Sequence, residues 1–270
     1  MSVREDLLKL KIIPSKERGQ NFLIDPAALA GIVEFSDVSE SDSIVEIGAG
    51  LGALTNELKH FPDVTAIEIE SRFCNELSSR FPSVKVVNAN VLEVAFEEFG
   101  DQLVVFGNLP YSLSTDILFH VIGQAYCIKR AVFLLQREFA ERIAARPGTR
   151  EASVLTISCQ LRARTTLGMI VPGSSFYPQA GVESRLVRLD FYRELPYRIE
   201  DEGWFHMLVR AAFSQRRRKM FNALLSTGLL TKDLLEKAFS AAGLDRNVRA
   251  EMLTIEEFAE FANQTLKLKS

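Results

Sequence analysis

The sequence predicts an α/β domain with a mostly parallel sheet, followed by a small all-helical domain. Three observations carry this. Short β-branched runs alternate with helical segments as far as Tyr192. From Trp204 to Leu268 the periodicity is helical throughout. Between them Phe191–Gly203 is polar and broken by Pro196 and Gly203, as a linker is. The expected domains are 1–195 and 196–270.

The elements follow in order. Asp25-Pro26 opens a helix, with Asp as cap and Pro in the first turn. Ser43–Ile47 is the first strand and ends in Gly48-Ala-Gly-Leu-Gly52, after which Ala53–Lys59 reads as a helix start. Val64–Ile69 is the next strand, with helical Ser71–Phe81 behind it. Val84–Val87 and Leu103–Phe106 are the third and fourth strands. Ala131–Leu135 is the fifth, followed by charged, helix-like Arg137–Arg146. Further strands are expected at Cys159–Leu167 and Val187–Tyr192. Strands separated by helices at this spacing need crossover connections, hence parallel pairing. The C-terminal helices are Trp204–Phe213, Lys219–Leu225, Thr231–Ala242 and Thr254–Leu266, the last with Thr254 and Glu257 spaced as a capping box.

Composition excludes several classes. With 270 residues, 47% hydrophobic and 25% charged, the chain is neither disordered nor low in complexity. Apolar runs such as Ala131–Leu135 are far too short to cross a bilayer, and Met1–Leu7 lacks the charged-then-apolar pattern of a signal. Cys74, Cys127 and Cys159 match no metal spacing and no disulfide framework, so no metal and a reducing cytoplasm are expected. The net charge of −3 hides an asymmetry. Residues 1–128 carry 9 bases and 19 acids, residues 129–219 carry 17 and 9, and residues 220–270 carry 6 and 7. A polyanion would be repelled by the first block and attracted by the second. Basic residues also simply solvate helices, but Arg210 and Arg216-Arg-Arg-Lys219 put five bases in ten residues with no acid among them.

The candidate chemistry lies in a few short segments. In Gly48-Ala-Gly-Leu-Gly52, between strand and helix, glycines let the backbone turn tightly and approach a ligand. The spacing is G-x-G-x-G, without the lysine of a phosphate loop. Glu68, at the end of the next strand, is placed to accept both hydroxyls of a ribose. Together these suit a nucleoside cofactor without pyrophosphate, such as S-adenosylmethionine; a plain packing turn is the alternative. Asn108-Leu-Pro-Tyr111 follows the fourth strand and should face the same crevice. The Asn oxygen can accept from an exocyclic amine, and Tyr111 offers a face on which a base stacks, worth about 1–3 kcal/mol. Alone, Asn and Pro would read as a turn. Gly19-Gln-Asn-Phe-Leu23, flanked by Lys16 and Arg18, is either a capped loop or a lid over the cofactor. Phe176-Tyr-Pro178 is either a core plug or a second stacking surface.

The chain resembles the ribosomal RNA adenine dimethyltransferases of the KsgA/RsmA type. The residues that carry the resemblance are Gly19–Leu23, Val45–Thr55, Asn108–Tyr111, Val171–Phe176 and Phe213–Arg217, in that order, and it runs from about residue 12 to the C-terminus. It implies a Rossmann-like class I methyltransferase sheet with a helical C-terminal domain that binds RNA. It implies transfer of methyl groups from S-adenosylmethionine to N6 of two adjacent adenosines near the 3′ end of small-subunit ribosomal RNA. The expected setting is a precursor of the small subunit, with the protein a cytoplasmic monomer.

The resemblance assigns Gln20, Asn21, Leu23, Gly48, Gly50, Glu68, Asn90 and Asn108 to the cofactor, with Asn90 where the family usually has Asp. Asn108, Leu109, Pro110 and Tyr111 would hold the target amine, and Phe176 would pack on the target base. Ala49, Ala152-Ser153 and Gln179-Ala-Gly181 also depart from the family. RNA contacts are expected from Lys16, Arg18, Arg137, Arg142, Arg216, Arg217, Arg218 and Lys219. His60, His120 and His206 fall in no motif. Two alternatives stay open: an antibiotic-resistance enzyme that methylates large-subunit RNA, and a non-catalytic assembly factor.

Overall fold

A computed structural model describes residues 3–14, 21–215 and 217–269. The chain forms two compact units, Met1–Glu141 with Arg164–Phe191, and Arg142–Ala163 with Tyr192–Ser270.

The first unit runs α1 (Val3–Lys9), β1 (Phe22–Leu23), α2 (Pro26–Ser36), β2 (Ile44–Ile47), α3 (Ala53–Leu58), β3 (Val64–Glu68), α4 (Ser71–Arg80) and β4 (Lys85–Asn88). It continues through β5 (Leu103–Asn108), α5 (Ser114–Gly123), β6 (Ile128–Gln136) and the start of α6 (Arg137–Ile143). After α7 (Val154–Arg162) come β7 (Ala163–Val171), β8 (Phe176–Tyr177) and β9 (Ser184–Phe191). Seven strands form one sheet in the order β4-β3-β2-β5-β6-β9-β7. The first five are parallel neighbours, and β9 runs antiparallel to β6.

This is the sheet that the alternation dictates. Every residue of β2 and β3 is buried, as expected of strands covered on both faces. The strand order reverses between β2 and β5, since β3 and β4 lie on one side of β2 and β5 and β6 on the other. That switch opens a crevice at the strands' carboxyl ends. Register then does the aligning: Ile47 is paired with both Ile67 and Gly107. The next residue on each strand is therefore Gly48, Glu68 or Asn108, and the three motifs meet along one edge.

Local signals set the helix limits. Asp25 caps α2 by accepting from the amides of Ala27 (3.0 Å) and Ala28 (3.3 Å), with Pro26 in the first turn. Ser175 Oγ donates to the same carboxylate at 2.7 Å, and this bond, with those of the cap, holds the Asp25 pKa below its ordinary value. Gly52, at φ 80, begins α3 in the left-handed region, and a Cβ there would come 2.4 Å from the Phe81 ring.

The second unit holds α7 and, after the linker, α8 (Glu202–Phe213), α9 (Met220–Ser226), α10 (Lys232–Ala241) and α11 (Ile255–Lys267). Thr254 and Glu257 form the expected capping box. Phe239 stacks edge-on with both Phe221 (5.3 Å) and Phe261 (5.2 Å) in its core. Among the described residues no helix is long and apolar enough to cross a membrane.

Two expectations need correction here. Cys159–Leu167 is not one strand: α7 runs to Arg162 and β7 starts at Ala163. Ser153 and Thr156 cap α7 reciprocally, and Ile157 and Leu161, one helical turn apart, are both buried in the helical unit's core. Tertiary burial thus outweighs local strand propensity. A single boundary at 195/196 is also too simple, because Arg142–Ala163 joins the helical unit although it precedes two strands of the sheet.

Candidate active site

A cavity of about 610 Å³ opens at the carboxyl ends of β2, β3 and β5. Its lining is mainly apolar, with Asn21, Glu46, Glu68, Glu70 and Asn108 as the principal polar side chains. This is the usual make-up of a small-molecule site, an apolar hollow with a few convergent polar groups.

The glycine turn forms one wall. Gly48 (φ 70) and Gly50 (φ 55) both lie in the left-handed region, and the Gly48 amide donates to the Ile67 carbonyl at 2.8 Å. A Cβ on Gly48 would meet no atom within 4 Å, so the main chain there borders open space. Glu68 stands opposite. Its two oxygens accept from the amides of Gly50 and Glu70, each at 2.8 Å. Burial nevertheless raises its pKa, with the two amide bonds acting the other way. Each carboxylate oxygen keeps a second acceptor site, so the pair fits a vicinal diol. Ile69, next in sequence and 65% exposed, supplies an apolar surface beside that carboxylate.

Beneath them lies Glu46, on β2 and 3% exposed. Thr55 Oγ1 donates to it at 2.5 Å, but burial dominates and pushes its pKa up to about 7. A carboxyl that changes charge near neutral pH therefore floors the cavity.

The Asn108–Tyr111 corner forms the far wall. Asn108 Nδ2 donates to the Asn21 carbonyl at 3.1 Å, which leaves Oδ1 as the acceptor. The Pro110 carbonyl takes bonds from Ser114 Oγ (2.9 Å) and the Leu113 amide (3.1 Å) as α5 begins. Both its lone pairs are thus engaged. No such bond from the described residues reaches the Leu109 oxygen. At Gly107 a Cβ would come 2.6 Å from Leu109 Cδ2 and 3.3 Å from the Ile47 carbonyl oxygen, so a side chain there would push on the packing of Leu109.

Of the expected cofactor residues, Asn21, Leu23, Gly48, Gly50, Glu68 and Asn108 line the cavity, as do Leu109, Pro110 and Tyr111. Asn90 does not. Its Oδ1 accepts the Leu92 amide at 3.2 Å and its Nδ2 donates to Glu93, so it caps a short 3-10 turn. Phe176 does not reach the cavity either: it is 3% exposed in the sheet's core, and Leu23 pairs with it across β1 and β8. Of the expected RNA contacts, Arg137 spends its guanidinium on Glu141 (2.9 Å) and Glu183 (2.8 Å). Arg142 is exposed in the helical unit. Gln20, Lys16, Arg18 and Arg216 lie outside the described residues.

Arg217, Arg218 and Lys219 line a second, open cleft of about 540 Å³ within the helical unit. Arg249, Asn222, Asn247 and Ser226 join them, and no acidic side chain lines it. Sequence reading found the basic run but missed Arg249, 30 residues on. It also missed α1, which packs Leu7 against Leu51 and Phe73 at the cavity's edge and is tied to α4 by Asp6–Arg80 (3.1 Å) and Lys9–Glu76 (3.3 Å). Its Leu7-Leu-Lys-Leu10 stretch carried a weak amphipathic signal.

Comparison with known proteins gives a consistent result. The family described as "Ribosomal RNA adenine dimethylase" matches residues 15–267. The chain is 37% identical to "Ribosomal RNA small subunit methyltransferase A" of Alkaliphilus oremlandii, over 98% of this chain and 96% of that protein. It is 39% identical to the protein of the same name from Shouchella clausii, over 92% and 88%. A dimethyladenosine transferase from Plasmodium falciparum superposes with a TM-score of 0.78 at 26% identity, covering 92% of this chain and 98% of that one. The 23S rRNA methyltransferase ErmE shares the fold, with a TM-score of 0.68 at 23% identity over 90% and 99%.

Proposed function

The chain belongs to the ribosomal RNA adenine dimethylase family, and on that premise we propose that it transfers methyl groups from S-adenosylmethionine to N6 of two adjacent adenosines near the 3′ end of small-subunit ribosomal RNA. The observation that carries the reading is the convergence of the glycine turn, Glu68 and the Asn108–Tyr111 corner on one cavity. Relatives named for the small-subunit RNA over nearly their full length favour it over the large-subunit alternative.

The residues present fit the cofactor. The bare main chain at Gly48 leaves room for a close approach, Glu68 fits ribose hydroxyls, and Ile69 fits the face of a purine. When bound, S-adenosylmethionine supplies an already activated methyl group on a sulfonium.

The protein's own work is geometric. The N6 lone pair of adenine is delocalised into the ring, so the amine is a poor nucleophile. Asn108 Oδ1 and the Leu109 carbonyl accept its two hydrogens and favour a pyramidal nitrogen. The Pro110 carbonyl takes no part, because α5 occupies it. Tyr111 stacks on the extruded base, which has left its own stack to reach the site. Holding the two reactants in line supplies most of the acceleration. Methylation leaves the nitrogen cationic until one proton passes to water, so after the first transfer one N–H remains, and a single acceptor holds it. Phe176 enters this scheme only if the Leu23–Phe176 pair opens.

Arg217, Arg218, Lys219 and Arg249 hold phosphates of the RNA. The reading extends to a precursor of the small subunit as substrate and to a monomer working in the cytoplasm. Incubation with labelled cofactor and undermethylated small subunits, followed by nucleoside analysis, tests the whole. Dimethyladenosine at two adjacent positions is expected; label in large-subunit RNA alone, or none, overturns it.

A further inference from the structure

We propose that Ser184 is a positioning residue for the target base, acting through Tyr111. This rests on the reading of Tyr111 as the stacking surface.

The inference starts from topology. In a parallel sheet the reactive edge is built from residues that follow strands. Here β9 is antiparallel to β6, so its first residue, Ser184, reaches that same edge, opposite Gln136 at the end of β6. The neighbouring parallel pair brings Asn108, at the end of β5, level with Leu134. Three adjacent strand ends therefore converge beside the Asn108–Tyr111 corner.

Ser184 is 1% exposed, and a hydroxyl that deep needs a partner. It finds one in the Tyr111 phenol: the two oxygens lie 3.3 Å apart, and either can donate. Tyr111 itself is half-buried and lines the cavity. A half-buried tyrosine side chain can swing about χ1 between staggered wells, and packing along one edge of a cavity does not select one of them. A hydrogen bond at the phenol does, because the oxygen lies at the far end of the ring on the Cβ–Cγ axis and moves whenever χ1 changes. Ser184 thus fixes where the ring sits before any base arrives. Orienting a stacking surface in advance removes an ordering cost from the encounter.

Two further contacts hold the Ser184 end in place. The Arg137 amide donates to the Glu183 carbonyl at 3.0 Å, and the Arg137 guanidinium pairs with the Glu183 carboxylate at 2.8 Å. The start of β9 is so fastened to the end of β6, and Ser184 sits on a fixed support. None of these residues lines the cofactor cavity.

The test is a double-mutant cycle in the full chain with undermethylated small subunits: Ser184→Ala, Tyr111→Phe and the two combined. Each single change removes one net neutral hydrogen bond, so kcat/KM for the particle should fall about three- to tenfold. S-adenosylmethionine affinity should stay unchanged. The combined variant should be no worse than either single one. Additive losses in the combined variant, or Tyr111→Phe at wild-type rate, overturn the proposal. Tyr111→Phe keeps the ring and its packing, so it decides the matter even if Ser184→Ala folds poorly. Methyl transfer by the wild-type chain in the same assay is a separate readout, and its absence would count against the function rather than against Ser184.

Discussion

Asn108 Nδ2 lies 3.1 Å from the main-chain oxygen of Asn21, joining two segments 87 residues apart in the chain. An amide has one oxygen and one nitrogen to aim. Fixing the nitrogen on a carbonyl commits the oxygen to the other direction, where the amine of the target base would arrive.

Asn108→Ala should therefore cut methyl transfer by about 100-fold or more, the range seen when one preorganised polar group is removed from a reaction centre. Cofactor affinity, which rests on Glu68 and the glycine turn, should change only a few-fold. Radiolabel transfer to undermethylated small subunits, with calorimetric titration of the cofactor alongside, separates the two. Turnover at the wild-type rate would remove Asn108 from the reaction.

Glu68→Ala should produce the opposite pattern. It strips the acceptor from the Gly50 and Glu70 amides as well as from a ribose. Charge-assisted hydrogen bonds are worth about 1.5–3 kcal/mol each, so cofactor affinity should fall about 10- to 100-fold or more. Isothermal titration reads this directly, and unchanged affinity would place the ribose elsewhere.

Glu46 predicts a pH dependence of stability. Its carboxyl has a pKa of about 7 in the folded protein against an ordinary 4.5, chiefly because it is buried. The folded state thus binds the proton more tightly than the unfolded one. The stabilisation is full below about pH 4.5 and is lost as pH rises through about 7, by something on the order of 3 kcal/mol. Glu46→Gln keeps an acceptor for Thr55 and has no proton to lose. Thermal melts from pH 5 to pH 8 should show the wild type falling progressively relative to this variant. Parallel curves would mean that the carboxyl is ionised throughout.

Arg217, Arg218 and Lys219 should act together. Replacing all three by Ala should weaken RNA binding and flatten its dependence on salt. The log–log slope should drop by about 0.9 for each phosphate no longer neutralised, with duplex RNA taken as similar to DNA. Arg137→Ala should leave the slope unchanged, since its charge is already met by Glu141 and Glu183. Filter binding over a salt series distinguishes the two. An equal effect from Arg137 would show that those ion pairs open on RNA.

Sequence by itself determined the sheet's alternation of strand and helix, the capped α2 and α11, and the three motifs that line the cavity. All are signals of short range: β-branched runs, a cap and its partner three residues on, glycines between strand and helix. Family likeness was legible for the same reason, because the motifs are contiguous. What only the tertiary structure decided depends on neighbours distant in sequence. It made Cys159 helical rather than extended, through burial of Ile157 and Leu161. It sent Phe176 into the core beside Leu23 and Asn90 to a turn. It withdrew Arg137 into ion pairs and added Arg249 to the basic cleft. It engaged the Pro110 carbonyl with Ser114 and Leu113, and it gave Ser184 a partner 73 residues away. A residue's type states what bonds it can make; which of them it makes is settled by the groups that packing brings within about 3 Å.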